Sequence, residues 1–224
     1  MKSSGIKTST VLASFLLAAC LSMRAEVKLP AIFSDGMVMQ QQTNANLWGT
    51  ATPNKKVTVT TGWNGKQYAV TADKNGSWKL SVSTPEAGGP YTITFDDGTQ
   101  KTLNNILIGE LWLCSGQSNM EMPMKGFKNQ PVENANMDIL RSKNLHIRLF
   151  TVKRTSTITP QNDVVGSWKE AAPVSVRDFS ATAYYLGRLV NELLEVPVGL
   201  VLAAWGCYDC DAWLPDDSLK ALSD

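Results

Sequence analysis

The feature that most restricts the fold of this chain is a nearly continuous apolar run at residues 106–114. Such a run fits a β-strand that is buried on both faces, as in a parallel sheet. Residues 144–152 and 197–205 are further strand candidates, and residues 179–195 carry apolar side chains at helical spacing. Strands that alternate with a helix are typical of an α/β domain with a parallel sheet. A second helix is predicted to begin at residues 214–222.

The chain before residue 105 has a different pattern, in which short alternating runs are separated by turn residues. The turns include Asn64-Gly65, Asn75-Gly76 and Asp97-Gly98, and Asn-Gly and Asp-Gly supply the positive φ angles of tight hairpins. The predicted strands are residues 46–49, 56–60, 68–71, 77–82 and 91–95. Several strands at this spacing predict a small β-sandwich over residues 26–104. An α/β domain is predicted over residues 105–224.

The first residues resemble a secretory signal peptide. Lys2 and Lys7 precede an apolar run at residues 11–19 that is too short to span a bilayer. Cleavage after Ala25 would give a signal peptide of residues 1–25, whereas the bacterial lipobox pattern ending at Cys20 would give a lipid-bearing N-terminus. We expect an exported bacterial protein, either periplasmic, extracellular or anchored to the outer membrane. The membrane is an expected partner only if Cys20 is lipidated.

Charge and cysteine usage exclude several classes of function. Lys and Arg number 21 against 20 Asp and Glu, which argues against nucleic acid as a partner. Cys207 and Cys210 have the spacing of a redox or metal motif, but a metal site usually needs four ligands and no second Cys or His pair accompanies them. We therefore expect no metal and no cofactor. A disulfide between Cys207 and Cys210 or between Cys114 and Cys207, or buried free thiols, remain alternatives.

The residues that follow the apolar run carry the chemistry. Residues 114–120 come directly after the predicted strand, and ligand sites in open α/β sheets form beyond the carboxyl ends of strands. Ser118 at this position is either a helix N-cap or a nucleophile close to backbone N–H groups that can stabilise an oxyanion. Gly116 would allow the sharp turn that brings the backbone close to the reacting carbon.

Residues 116–120, Gly-Gln-Ser-Asn-Met, resemble the first sequence block of the SGNH hydrolases. More narrowly, the chain resembles the sialate O-acetylesterase family from about residue 27 to residue 214. The resemblance implies an SGNH-type, flavodoxin-like α/β domain after the β-sandwich. Its further matching segments are residues 29–40, 109–115, 147–150, 166–168, 179–181 and 197–200.

The resemblance also implies a function and a set of site residues. Ser118 would attack an acetyl ester on a sugar hydroxyl, and water would then release acetate from the acetyl-enzyme. The Ser118 N–H would be one oxyanion donor, and the Gly206 N–H a candidate for the second. Gly116, Gln117 and Asn119 would bind oxyanion or substrate as members of the nucleophile block. Asp211 stands at the family's acidic position, where a substrate contact and a structural cap are equal alternatives. The expected partner is an acetylated sugar or glycan.

The general base of the family is missing from this sequence. Such enzymes take it from an Asp-x-x-His block, and a Gln-Gly-Glu block supplies a further contact, but neither block occurs here. His146 is the one histidine and lies at the start of a predicted strand, at the sheet edge opposite Ser118. We therefore expect a C-terminally truncated α/β domain that is inactive alone.

A non-catalytic, exported glycan-binding protein, or the remnant of an esterase, is the alternative function. Trp48, Trp63 and Trp78 could stack on sugars, but alternating positions in strands predict that they belong to the core.

Overall fold

The computed structural model describes residues 26–157, 159–206 and 218. The chain is a mixed α/β protein that consists mostly of sheet. Its strands are β1 (Val38–Gln40), β2 (Asn44–Thr50), β3 (Lys56–Thr61), β4 (Gln67–Thr71), β5 (Ser77–Ser83), β6 (Gly88–Asp96), β7 (Gln100–Gly116), β8 (Asn144–Thr151), β9 (Trp168–Ala171) and β10 (Val198–Ala204). Its helices are α1 (Ser118–Glu121), α2 (Ala135–Leu140), α3 (Pro173–Val176) and α4 (Ala181–Leu194). The predicted signal peptide, Cys20, Cys207, Cys210 and Asp211 lie outside the described residues. Of the helix predicted at 214–222, only Ser218 is described, and it is helical.

All strands predicted before residue 105 are present, and the predicted turns join them. Strands β3 and β4 form an antiparallel pair, and Gly65 in the turn between them has a φ of 67°. Strands β2 and β5 pair with each other as a separate two-stranded ribbon. This ribbon shares one apolar core with β3 and β6, in which Leu47, Val59, Val82 and Phe95 are fully buried.

Strand β7 is the longest strand and belongs to both halves of the chain. Residues 100–108 pair antiparallel with β6, and residues 110–116 pair parallel with β10. Strand β1 runs parallel to residues 107–109. One eight-stranded sheet results, in the order β4-β3-β6-β7-β10-β8-β9, with β1 paired to β7. The division predicted between residues 104 and 105 falls inside β7, so the sheet is continuous across that point.

A buried arginine links the two halves next to this point. The Arg148 side chain on β8 is 5% exposed, and its Nη1 donates to Glu170 Oε1 on β9 at 2.6 Å. Its Nη2 donates to Asn105 Oδ1 on β7 at 3.2 Å. A buried guanidinium must be paired in this way because desolvating an unpaired charge is costly.

The second core lies between the parallel strands and α4. The side chains of Ile147, Ala183 and Leu200 are fully buried there, and Tyr184 is almost fully buried. Helix α4 begins after Ser180, whose hydroxyl accepts a hydrogen bond from the Ala183 N–H at 3.1 Å. Such N-caps satisfy an N–H group that has no partner inside the helix. None of the helices in residues 26–157, 159–206 and 218 is long and apolar enough to cross a membrane.

The expectation that residues 106–114 are buried on both faces is only half correct. Ile106, Leu107 and Ile108 are buried, but Leu111, Trp112 and Leu113 are 37%, 41% and 69% exposed. The physical reason is that Leu111, Trp112 and Leu113 pack into neither apolar core of the described residues, where helix α4 covers β10 and β8. Beyond Gln40, where β1 ends, the described residues pair with β7 on the β10 side only. The Gln40 side-chain oxygen accepts a hydrogen bond from the Leu111 N–H at 2.9 Å, just past the last residue of β7 that β1 pairs with.

Gly109 on β7 is expected to tolerate no side chain. A Cβ there would overlap the Pro197 carbonyl oxygen and lie 2.8 Å from its carbon. Gly109→Ala should therefore lower the free energy of unfolding by about 3 kcal/mol, measured by urea denaturation.

Gly65→Ala is the matched control. Among the described residues nothing lies within 4 Å of that Cβ position, and only the φ of 67° opposes the substitution. The expected loss is about 1 kcal/mol. Equal losses for the two variants would contradict the close approach of Pro197 to β7.

Candidate active site

The carboxyl ends of three parallel strands meet at one edge of the sheet. Gly116 at the end of β7 lies opposite Ala204 at the end of β10, and Leu202 of β10 lies opposite Thr151 at the end of β8. The segments that follow these strands therefore leave the sheet together. Ser118, Trp205, Gly206 and Arg154 all belong to these segments.

The chain turns sharply between β7 and α1. Gly116 has a φ of 144°, a conformation that residues with a side chain rarely adopt. The Gly116 carbonyl accepts a hydrogen bond from the Trp205 N–H at 3.1 Å, which joins this turn to the end of β10. Gln117 is the N-cap of α1, and Ser118 is the first residue of the helix and is exposed. The N-cap alternative for Ser118 is therefore wrong, because Gln117 occupies that position.

The start of α4 holds the Ser118 segment from the other side. The Thr182 hydroxyl donates to the Asn119 carbonyl at 3.0 Å, and the Ala181 N–H donates to the Met122 carbonyl at 2.8 Å. The Ser180 hydroxyl also contacts the Met120 sulfur at 3.7 Å. These contacts hold residues 119–122 through both backbone and side-chain atoms.

Glu121 is the residue of this site that the sequence analysis missed. Its Oε2 accepts a hydrogen bond from the Gly206 N–H at 2.5 Å, and its Oε1 pairs with Nη2 of Arg154. The Glu121 side chain is 18% exposed. Its position three residues after Ser118 was visible in the sequence, but both partners lie far away in the chain and neither could be read from it.

Gly206 lies beside Ser118, as a donor to an oxyanion at Ser118 must. A Cβ built on Gly206 would be 3.5 Å from the Ser118 Cβ. The Gly206 N–H, however, donates to Glu121 in this structure. Its role as the second oxyanion donor thus requires that the carboxylate release it. Asp211, the remaining residue of the predicted site, lies outside the described residues.

His146 lies at the opposite edge of the sheet, as predicted. It is the third residue of β8, and its N–H donates to the Asn144 side-chain oxygen at 2.8 Å. Because β8 and β7 are both parallel to β10, the start of β8 and Ser118 lie at opposite ends of the strands. His146 is therefore not placed to act as the base for Ser118.

The three tryptophans of the β half are in differing environments. Trp78 is buried, in agreement with the core prediction. The Trp63 indole N–H donates to the Ser83 carbonyl at 3.2 Å. The Trp48 N–H donates to the Asn162 carbonyl at 3.1 Å, and its ring packs edge-on against Phe33. In the part of the chain that the structure describes, no group of three His, Cys, Asp or Glu side chains could hold a metal ion.

The chain is similar to known carbohydrate esterases over most of its length. No protein-family model matches the chain. The sialate O-acetylesterase of Rattus norvegicus is 30% identical over 203 residues, which cover 83% of this chain and 37% of that protein. The human sialate O-acetylesterase is 27% identical over 212 residues, which cover 87% of this chain and 40% of that protein. A crystal structure of a carbohydrate acetylesterase from Xanthomonas citri matches with a TM-score of 0.79 and 30% identity, over 87% of this chain and 44% of that one.

Sequence and fold thus relate this chain to the carbohydrate acetylesterases. Within that class, it is a homologue of the sialate O-acetylesterases over most of its own length, which confirms the resemblance. The chain spans about 40% of the length of the curated relatives it matches.

Cys114 on β7 is expected to react slowly while the chain is folded. Its thiol is 3% exposed, and burial raises its pKa from 9.0 to about 11. Because the thiolate is the reactive form, alkylation by iodoacetamide at pH 8 should be about 100-fold slower in the folded chain than in urea. Peptide mass spectrometry measures this for Cys114 separately from the other cysteines.

The same shift predicts a pH dependence of stability. The unfolded chain ionises Cys114 above its ordinary pKa of 9.0, whereas the folded chain retains the proton up to about 11. The contribution of Cys114 to the free energy of unfolding is therefore fully present below pH 9 and is lost as the pH rises to about 11.

In the alkylation experiment, equal rates for Cys114 in the folded and unfolded chain would contradict its burial.

Proposed function

We propose that this chain carries the nucleophile of a carbohydrate O-acetylesterase, and that Ser118 is that nucleophile. The observation that supports this most is the position of Ser118, exposed on a tight turn at the carboxyl ends of three parallel strands. Relatives named as sialate O-acetylesterases and a carbohydrate acetylesterase support the same chemistry. The proposed substrates are acetyl esters on sugar hydroxyls, with acetylated sialic acids and acetylated plant polysaccharides as the two candidate sources.

In the proposed reaction the Ser118 oxygen attacks the acetyl carbonyl carbon. The tetrahedral intermediate expels the sugar alkoxide, which takes up the proton that the Ser118 hydroxyl loses and becomes the sugar hydroxyl, and an acetyl group remains on Ser118. Water then attacks this ester and releases acetate. The Ser118 N–H is the proposed oxyanion donor, because the first N–H groups of a helix have no intrahelical acceptor. Gly116, Gln117 and Asn119 complete the proposed oxyanion and substrate contacts, with Gly206 and Asp211 from the segment after β10.

The finer layout and the location of the protein belong to the same proposal. The ribbon β2–β5 on the sheet of β3 and β6 supports a β-sandwich over residues 26–104. The match to a carbohydrate acetylesterase supports an SGNH-type, flavodoxin-like domain from residue 105. Export through a signal peptide of residues 1–25, with or without a lipid on Cys20, rests on the sequence pattern.

Glycan binding without turnover is the second candidate function, and a cleft in the β half favours it. The cleft measures about 810 Å³ and lies between the β2–β5 ribbon and the segment that contains Asn162. Trp48 contributes an aromatic surface there, and Asn46 and Lys79 contribute polar groups. Flat aromatic surfaces with a few polar groups are suited to sugar rings.

Ser118→Ala tests the proposed esterase function. Because the one histidine lies at the opposite edge of the sheet, turnover by the chain alone should stay near the background of about 10³-fold over the uncatalysed rate that oxyanion stabilisation and binding give without a nucleophile. Added imidazole can supply the base and should raise acetate release from p-nitrophenyl acetate and from acetylated sugars above this background and above the protein-free imidazole rate. Ser118→Ala should remove this imidazole-dependent increase.

Ser115→Ala is the matched control, since Ser115 is exposed in the same segment. It should release acetate at the wild-type rate. Equal rates for the wild type and Ser118→Ala in the presence of imidazole would reject Ser118 as the nucleophile. Saturable binding of an acetylated glycan in that case would favour the second function.

A further inference from the structure

We propose that Glu121 is the positioning residue of this site, which holds the segments after β8 and β10 against the nucleophile turn. The proposal rests on the proposed function of Ser118 and adds a residue that acts through its bonds to Gly206 and Arg154. Its basis is one carboxylate with two partners, each from a different strand end.

The first partner, Gly206, can approach Glu121 because it has no side chain. A Cβ at Gly206 would lie 2.8 Å from Glu121 Oε2 and 3.5 Å from the Ser118 Cβ. The Glu121 carboxylate and Ser118 thus both pack against Gly206.

The second partner, Arg154, lies in the segment after β8. Two backbone bonds hold that segment in place: the Val152 N–H donates to the Leu202 carbonyl at 2.9 Å, and the Lys153 N–H donates to the Val165 carbonyl at 2.7 Å. Glu121 itself is fixed by its N–H, which donates to the Gln117 carbonyl at 2.9 Å. One side chain thus links the ends of β7, β8 and β10.

The charge of this arrangement matters for an oxyanion at Ser118. A bare carboxylate close to the nucleophile would oppose negative charge on the substrate carbonyl oxygen. The Arg154 guanidinium pairs with this carboxylate and neutralises it. We infer that the pair holds Gly206 in place without the cost of an unpaired negative charge beside the reacting carbon.

Two measurements on the full chain test this role. The first is hydrogen exchange of the Gly206 amide, followed by ¹⁵N NMR, with the Leu202 amide in β10 as an internal reference. The second is the rate at which a p-nitrophenyl phosphonate labels Ser118, followed by mass spectrometry with Ser118→Ala as the blank. The variants are Glu121→Ala, Glu121→Gln and, as an exposed glutamate with the same chemical change, Glu133→Gln.

Glu121→Ala should speed exchange of the Gly206 amide by about tenfold or more, because it removes a hydrogen bond to a charged acceptor. Exchange at Leu202 should not change. Labelling of Ser118 should slow by about tenfold, because the loss of positioning outweighs the release of the Gly206 N–H from the carboxylate. Glu121→Gln keeps one acceptor oxygen and should restore part of the Gly206 protection but less of the labelling rate, because the Arg154 pair is lost. Glu133→Gln should match the wild type in both measurements.

Unchanged Gly206 exchange in Glu121→Ala would overturn the proposal. So would faster exchange with an unchanged or a faster labelling rate, because Glu121 would then have only a structural role or would only occupy the Gly206 N–H. If wild-type Ser118 is not labelled above the blank while Gly206 protection still depends on Glu121, the esterase function fails and the link between the strand ends stands.

Discussion

The fold depends on a single strand that pairs in two different ways within one sheet. Strand β7 (Gln100–Gly116) pairs antiparallel with β6 over its first half and parallel with β10 over its second. Each backbone pairing fixes the register of the neighbouring strands, so the β half and the α/β half cannot shift independently. Gly109 lies where the two pairings meet and packs directly on Pro197. Arg148, paired with Asn105 and Glu170, secures the same region with a buried charge.

The candidate site follows from this arrangement. Since β7, β10 and β8 are parallel, their carboxyl ends share one edge, and the turn at Gly116 places Ser118 directly on it. Helix α4 binds residues 119–122 through Thr182 and Ala181. Glu121 links the ends of the three strands through Gly206 and Arg154. The Ser118 segment is therefore held by contacts from β10 and α4, and such fixed positioning is what the proposed acyl transfer would require.

Much of this arrangement could be predicted from the sequence. Alternation and Asn-Gly turns predicted the strands before residue 105, and apolar runs predicted β7, β8 and β10. Strands β1 and β9 were missed because such short segments carry too little periodicity. The start of β7 was missed because residues 100–105 are mostly polar. The turn at residues 116–118 could be identified from local residue types, whereas the bonds of Glu121 to Arg154 and Gly206 could not. Those bonds depend on long-range geometry that no local pattern encodes.

The central claim is that Ser118 accepts an acetyl group at this sheet edge. The most direct measurement is to mix the chain with an acetylated sugar and imidazole, quench with acid at successive times, and map the acetyl group by peptide mass spectrometry. We predict an acetyl group on Ser118 that accumulates and then disappears as acetate is released. Acetylation of another residue, or acetate release with Ser118 unmodified throughout and undiminished by Ser118→Ala, would contradict it.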